Sequence, residues 1–145
     1  MSADWTGRTF VDTNVVLYLL SKDPAKAQRA RDIVSGQPII SVQVLNEITN
    51  VARRKLDLGW KGIDEFLTLL RALCPVEPIT EQTHDLGRRI SERYQLSVYD
   101  GQIVASALGA GCDVLYSEDM QPGLRIERTL TVVNPFVGDS APDWR

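Results

Sequence analysis

Short apolar segments alternate with longer helical segments along almost the whole chain, and this alternation constrains the fold more than any other feature. Five segments are brief and apolar, as buried strands are: Arg8–Val11, Ile39–Ile40, a short segment around Val76, Val114–Tyr116 and Leu130–Val133. Strands that alternate with helices favour a parallel sheet covered on both sides. We therefore predict an α/β fold of three layers, in which a central, mostly parallel sheet is flanked by helices.

Helix signals fill the spaces between these strands. The predicted helices cover residues 24–34, 42–58, 63–73, a segment that follows Thr80 and ends near Tyr94, and 100–108, with a short helical turn over 15–20. Pro24 suits a first helical turn, Ser41 is a good N-cap, and Gly59 is predicted to end the second helix. The 145 residues (1–145) predict a single domain, with a loosely held tail over 138–145.

Composition narrows the functional class. With 43% hydrophobic and 24% charged residues, the chain has the make-up of an ordinary soluble globule. It has no secretory signal pattern and no apolar run long enough to cross a bilayer, so we expect a cytoplasmic protein without a membrane partner. The net charge of −3 argues against a broad basic surface for nucleic acid. Cys74 and Cys112 belong to no Cys-x-x-Cys pair, which favours buried, reduced thiols over a zinc or redox site.

Two acids follow the ends of predicted strands. Asp12 comes directly after Phe10-Val11, and Asp119 follows the strand that ends at Tyr116. Because ligands bind outside the carboxyl ends of parallel strands, acids at that edge are candidates for chemistry. Two alternatives stay open: Asp12 as a loop or N-cap residue, and Glu118 in the role of Asp119.

Two further acids lie on predicted helices. Glu47 falls at the edge of the apolar stripe of its helix, where it either reaches inward or is simply solvated. Asp100 precedes Ile103 and Val104 and so falls within a buried stripe at the first turn of its helix. A buried carboxylate without a partner is costly, so Asp100 is either an N-cap or a functional acid.

Together the four acids predict a metal site for phosphate chemistry. Carboxylates that share a crevice repel one another unless a cation neutralises them, and oxygen ligands favour Mg²⁺ or Mn²⁺. Such ions most often serve phosphodiester hydrolysis. In this hypothesis Asp12 and Asp100 hold the principal ion, and Glu47 and Asp119 position a second ion or the attacking water. The polar neighbours expected to orient carboxylates or substrate are Thr13, Asn14 and Ser117.

The order and spacing of these motifs resemble the PIN-domain ribonucleases, and most closely the VapC-type toxins of bacterial toxin–antitoxin pairs. The resemblance extends from about Arg8 to Phe136 and is carried by Phe10-Val11-Asp12-Thr13-Asn14, Ser41-Val42-Gln43-Val44-Leu45-Asn46-Glu47, Tyr99-Asp100, Leu115-Tyr116-Ser117-Glu118-Asp119 and Val133-Asn134-Pro135-Phe136.

The resemblance implies a PIN-like fold and an endoribonuclease that cuts single-stranded RNA with Mg²⁺ or Mn²⁺. It implies that the acidic quartet of the family corresponds to Asp12, Glu47, Asp100 and Asp119, with the first and third as the firmest metal ligands. It also implies a homodimer and a cognate VapB-type antitoxin, usually a small DNA-binding protein whose tail covers the acidic site.

Other patterns compete with this interpretation. The basic run Arg53-Arg54-Lys55 is either a solvated helix face or a contact for RNA phosphates, and the single histidine, His84, is expected at the surface and outside catalysis. A dehalogenase-like phosphatase would need an acid where Asn14 stands, and a phospho-receiver would need a central phospho-accepting Asp. A non-catalytic binding module of the same fold would be expected to have lost part of the acidic quartet.

Overall fold

The computed structural model describes residues 7–136, in which six strands and six α-helices follow one another along the chain. In chain order these are β1 (Arg8–Val11), α1 (Thr13–Leu17, extended by a 3-10 turn over Tyr18–Leu20), α2 (Pro24–Ser35), β2 (Ile40–Ser41), α3 (Val42–Arg54), α4 (Trp60–Leu73), β3 (Val76–Glu77), α5 (Glu81–Tyr94), α6 (Val98–Gly109), β4 (Cys112–Tyr116), β5 (Arg125–Ile126) and β6 (Leu130–Val133). The tail predicted to be loosely held, 138–145, lies outside the described residues.

The central sheet has the strand order β1-β4-β6-β5. β1, β4 and β6 run parallel, while β5 pairs antiparallel with β6 at the edge. The parallel pair β2-β3 continues the sheet beyond β1 through a single bridge between Ile39 and Phe10. The predicted α/β fold with a mostly parallel sheet flanked by helices is confirmed. The two-residue strand β5 was not predicted, because it is too short to produce a pattern.

The segment between α3 and α4 differs from the prediction. α3 ends at Arg54, four residues before the predicted end, and Gly59 is the N-cap of α4 rather than the stop of α3. The amide of Leu56 donates to the carbonyl of Val51 at 3.3 Å, and Asp57 adopts a positive φ of 52°. This left-handed residue turns the chain, so the helix cannot continue to Leu58.

The core consists of apolar side chains from the sheet and from the helix faces packed on it. Phe10, Val114 and Leu115 are fully buried in the parallel strands, and Ile48 of α3 is fully buried against them. Both cysteines are buried and free, as predicted. Among the helices within residues 7–136, none is long and apolar enough to cross a lipid bilayer.

Two glycines allow α5 and α6 to approach closely. A Cβ added to Gly101 would lie 2.0 Å from Ser91 Oγ and 2.5 Å from the carbonyl oxygen of Gly87. Ser91 Oγ also donates to the carbonyls of Gly87 and Ser97, at 2.8 and 3.0 Å. This contact fixes the first turn of α6, which carries Asp100.

Candidate active site

The carboxyl ends of the three parallel strands are tied together at one edge of the sheet. The amide of Asp12, just after β1, donates to the carbonyl of Tyr116 at 2.9 Å. The amide of Ser117, just after β4, donates to the carbonyl of Val133 at 3.0 Å. The backbone therefore sets Asp12 and Ser117 side by side, at the edge where ligands bind in parallel sheets.

Three donors converge on the carboxylate of Asp12. One oxygen accepts from the amide of Thr13 at 2.7 Å, and the other accepts from Ser117 Oγ at 2.8 Å and Asn14 Nδ2 at 3.3 Å. The residue is only 4% exposed, and it is also the N-cap of α1. The two interpretations that the sequence left open for Asp12 are therefore compatible, since one residue caps the helix and faces the site.

Asn14 is held in a single orientation by the neighbouring loop. Its Oδ1 accepts from the amide of Glu118 at 3.0 Å, which directs its Nδ2 toward Asp12 and Ser117. Because the amide and hydroxyl groups around Asp12 are themselves fixed, the carboxylate has little freedom to rotate.

Glu47 reaches inward from α3. Thr13 Oγ1 donates to one oxygen of its carboxylate, and Gln43 Nε2, one helical turn earlier, donates to the other at 3.2 Å. The side chain is half-buried. Thr13 thus links the loop after β1 to α3, and the solvated alternative for Glu47 is wrong.

Asp100 is the third residue of α6. The N-cap is Ser97, whose hydroxyl accepts from the amide of Asp100 at 3.0 Å. The alternative that Asp100 itself caps the helix is therefore wrong, because Ser97 already fills that position. Its carboxylate is left to face the cavity at the sheet edge.

Of the two adjacent acids after β4, Asp119 is the one that lines the cavity. The carboxylate of Glu118 accepts from the hydroxyl of the buried Tyr18, at 2.9 Å to one oxygen and 2.8 Å to the other. This contact holds the carboxylate of Glu118 at Tyr18, and Glu118 is not among the residues that line the cavity. Asp119 is therefore the better geometric match for the fourth acid.

The four acids line a single open cavity of about 300 Å³, together with Thr13, Asn14, Asn50 and Lys55. Burial raises the pKa of Asp12 to about 7, and the nearby charges of Glu47 and Asp100 act in the same direction. Burial also raises the pKa of Asp100, reinforced by the charges of Asp119 and Glu47. The charges of Glu47, Asp100 and Asp119 thus each raise the pKa of another acid in the cavity.

The carboxylate oxygens in this cavity are ligands of the type that Mg²⁺ and Mn²⁺ prefer. All four acids offer oxygen ligands, and the charge repulsion that raises the pKa of Asp12 and Asp100 would be relieved by a divalent cation. Within residues 7–136, however, no three carboxylate, imidazole or thiol groups are close enough to enclose an ion in this arrangement. The residue types fit a hard divalent metal, and the side chains would have to close on it.

The three residues of the basic run Arg53-Arg54-Lys55, at the end of α3, have different surroundings. Lys55 lines the cavity, whereas the guanidinium of Arg53 lies 4.6 Å from the ring centre of Trp60 and donates to the carbonyl of Leu58. Arg54 is exposed, and so is His84, away from the cavity as predicted. Asn50 was missed, although its position three residues after Glu47 on α3 could have indicated it.

Comparison with known proteins agrees with the fold. A family model described as PIN domain matches residues 9–122. A toxin–antitoxin complex from Klebsiella pneumoniae has 17% identity and a TM-score of 0.66, covering 89% of this chain and 98% of its own. The Mycobacterium tuberculosis toxin VapC20, described as cleaving the sarcin-ricin loop, has 22% identity and a TM-score of 0.61, covering 77% and 89%. VapBC2 from Rickettsia felis, solved with a promoter DNA fragment, has 16% identity and a TM-score of 0.62, covering 87% and 98%. No curated protein matches the sequence.

Proposed function

Because the chain belongs to the PIN domain family, we propose that it is a metal-dependent endoribonuclease that cleaves single-stranded RNA and acts as the toxin of a toxin–antitoxin pair. The observation that carries this proposal is the convergence of Asp12, Glu47, Asp100 and Asp119 on one cavity. Four carboxylates in one cavity repel one another, and a bound divalent cation would offset that repulsion.

In this proposal Asp12 and Asp100 hold the principal Mg²⁺ or Mn²⁺ ion. When bound, the ion lowers the pKa of the attacking water and stabilises charge on the phosphoryl oxygens. Glu47 and Asp119 would position the attacking water or a second ion. Thr13, Asn14 and Ser117 keep the carboxylates oriented, and the ammonium group of Lys55 attracts an RNA phosphate at the rim.

The lining of this cavity favours activation of water over attack by a protein nucleophile. Its lining within residues 7–136 contains neither histidine nor cysteine, which argues against a Ser-His or Cys-His mechanism there. A general base is also unnecessary when water is activated electrostatically. The expected products are therefore those of in-line hydrolysis at a phosphodiester.

Cleavage of a mixed single-stranded RNA by purified, antitoxin-free protein tests the proposal. We expect cutting by the wild type in Mg²⁺ or Mn²⁺, none in EDTA, and none by Asp100→Asn. Asp64→Asn is the matched control, because Asp64 is an exposed acid on α4 that does not line the cavity. Equal cutting by the wild type and Asp100→Asn, or cutting in EDTA, would refute it.

The toxin role and its partners belong to the same proposal. Structural neighbours that include toxin–antitoxin complexes support a cognate VapB-type antitoxin. The homodimer stays a prediction. Induced expression in bacteria should arrest growth with the wild type and Asp64→Asn but not with Asp100→Asn. Co-expression of the gene next to this one, which we expect to encode the antitoxin, should relieve the arrest. Normal growth of cells that express the wild-type protein without the antitoxin would contradict the toxin role.

A further inference from the structure

A second cavity of about 330 Å³ lies beside the acidic one. It is lined by Gln43, Asn46, Glu47, Asn50 and Tyr99. Glu47 and Asn50 line both cavities, so the two are contiguous along α3. Whatever occupies the second cavity therefore lies next to a ligand in the first.

The α3 wall of this second cavity carries three side-chain amides. Gln43, Asn46 and Asn50 follow one another at spacings of three and four residues, which puts them on one helix face. Gln43 Nε2 donates to Glu47 at 3.2 Å, whereas in the described part of the chain no hydrogen bond holds the amides of the exposed Asn46 and Asn50. Each free amide presents one acceptor and two N–H donors to a ligand.

The opposite wall is an exposed aromatic ring. Tyr99 is 66% exposed in the first turn of α6, directly before Asp100. Nothing in the fold requires a large aromatic side chain there, because the ring contributes little buried area. An aromatic face opposite side-chain amides is the combination by which proteins bind unpaired nucleobases, through stacking and through hydrogen bonds to base edges.

The mixed walls of the cavity favour a base over an apolar protein side chain as its occupant. The ring of Tyr99 offers an apolar surface, but three of the five lining residues are amides and a fourth is a carboxylate, and an apolar side chain would leave these groups without hydrogen bonds. A nucleobase satisfies the amides along its edge and covers the ring with its face.

We propose that Tyr99, Asn46 and Asn50 form a subsite for the unpaired nucleobase next to the scissile phosphate. This inference rests on the proposed ribonuclease function and adds to it the residues that select the cleavage position. Since Tyr99 adjoins Asp100 in sequence and the two cavities share Glu47, a base stacked on Tyr99 would hold its phosphate at the acids. The stack would act as a positioning contact that takes no part in the chemistry.

The test measures kcat/KM for cleavage of short RNAs that carry an abasic nucleotide at each position around the cut. Loss of one stacked base generally weakens binding about 5- to 150-fold. We expect Tyr99→Ala to lower kcat/KM by such a factor, and Tyr99→Trp to stay near the wild type. One abasic position should impair the wild type by a similar factor and have no further effect on Tyr99→Ala. Asn46→Ala should broaden the base preference at that position.

Two controls bear on specificity. Trp60→Ala removes an exposed aromatic ring, and Gln82→Ala removes an exposed amide, both outside the two cavities. Both should cut like the wild type. If abasic substitution impaired Tyr99→Ala as much as the wild type, the ring would not contact that base and the subsite would be refuted while the nuclease stood.

Binding separates the subsite from the nuclease activity. Fluorescence anisotropy of labelled single-stranded RNA in Ca²⁺ measures affinity whether or not the protein cuts. If the wild type bound RNA without cutting it, and Tyr99→Ala bound RNA more weakly than the wild type, the subsite would stand and the ribonuclease proposal would fail. If Tyr99→Ala left both RNA affinity and cleavage unchanged but weakened binding of the antitoxin, the surface would be a protein contact and the subsite would be wrong.

Discussion

Replacing the buried carboxylate of Asp12 by an amide should stabilise the metal-free protein at high pH. Burial raises the pKa of Asp12 from its ordinary value of 3.8 to about 7. At pH 8 the folded protein must ionise this group at a cost of about 1.4 kcal/mol for each unit of that rise, which amounts to about 4 kcal/mol. Asn carries no charge and avoids this cost.

The hydrogen bonds around Asp12 reduce the gain. Thr13, Asn14 and Ser117 all donate to the carboxylate, so an amide in either orientation brings its N–H₂ against at least one donor. A donor without an acceptor costs about 1 to 3 kcal/mol. The net expectation is that Asp12→Asn raises the free energy of unfolding by about 2 kcal/mol at pH 8, equivalent to about 5 °C in Tm.

The greater stability expected of Asp12→Asn at pH 8 should become a lower stability at acidic pH. When folding raises the pKa of an acid, the protonated acid favours the folded state. This contribution to stability is complete at a pH below the pKa of the unfolded state, and it is lost as the pH rises through the pKa of the folded state. Below about pH 3.8, Asp12 is protonated in both states, the ionisation cost disappears, and only the hydrogen-bond mismatch of the variant remains. The variant should therefore be less stable than the wild type at pH 3 and more stable at pH 8.

Urea unfolding in EDTA at pH 3, 5 and 8 measures this crossover, with Asp64→Asn as the control that should track the wild type. Adding Mg²⁺ at pH 8 should stabilise the wild type and leave Asp12→Asn unaffected, since a ligand stabilises only a fold that binds it. A variant less stable than the wild type at all three pH values would refute the electrostatic argument.

Three further outcomes follow from the same geometry. Asp119→Asn should abolish RNA cleavage, whereas Glu118→Gln should retain it, because only Asp119 lines the cavity; the reverse pattern would exchange their roles. Gly101→Ala should lower stability by about 2 kcal/mol or more and weaken cleavage, since its Cβ would overlap α5. Gly109→Ala, with open space around its Cβ, should be neutral or slightly stabilising in the same urea titration, and equal effects would contradict the packing argument. Cleavage by the wild type at limiting Mg²⁺ should rise with pH up to about 7, because protons compete with the ion for Asp12; a rate that is flat from pH 5 to 8 would argue against Asp12 as a ligand.

The sequence predicted the sheet and the position of Asp12 because local patterns determine both. A buried apolar run followed by Asp-Thr-Asn marks a strand end whatever the tertiary structure. The end of α3 was predicted four residues too late, since the turn through the positive φ of Asp57 leaves only a weak signal in the sequence. Asp adopts the left-handed conformation more often than most residues but far less often than Gly.

The partners of the acids could not be read from the sequence. Nothing near Glu118 indicates its contact with Tyr18, a residue 100 positions away, so the choice between Glu118 and Asp119 needed the fold. The cap of α6 is an exception, because Ser97-Val98-Tyr99-Asp100 has the Ser-x-x-Asp spacing typical of a helix start; the prediction began the helix at Asp100 and so missed it. Contacts between residues distant in the chain depend on helix orientation, which periodicity alone does not specify.

Titration of Mn²⁺ into the metal-free protein by calorimetry tests the central claim most directly, because the claim is that these carboxylates form one metal centre. The account predicts that the wild type and Asp64→Asn bind Mn²⁺ alike and that Asp100→Asn binds it at least about 10-fold more weakly while remaining folded. Absence of binding by the wild type at millimolar Mn²⁺, or equal affinity of the wild type and Asp100→Asn, would contradict it.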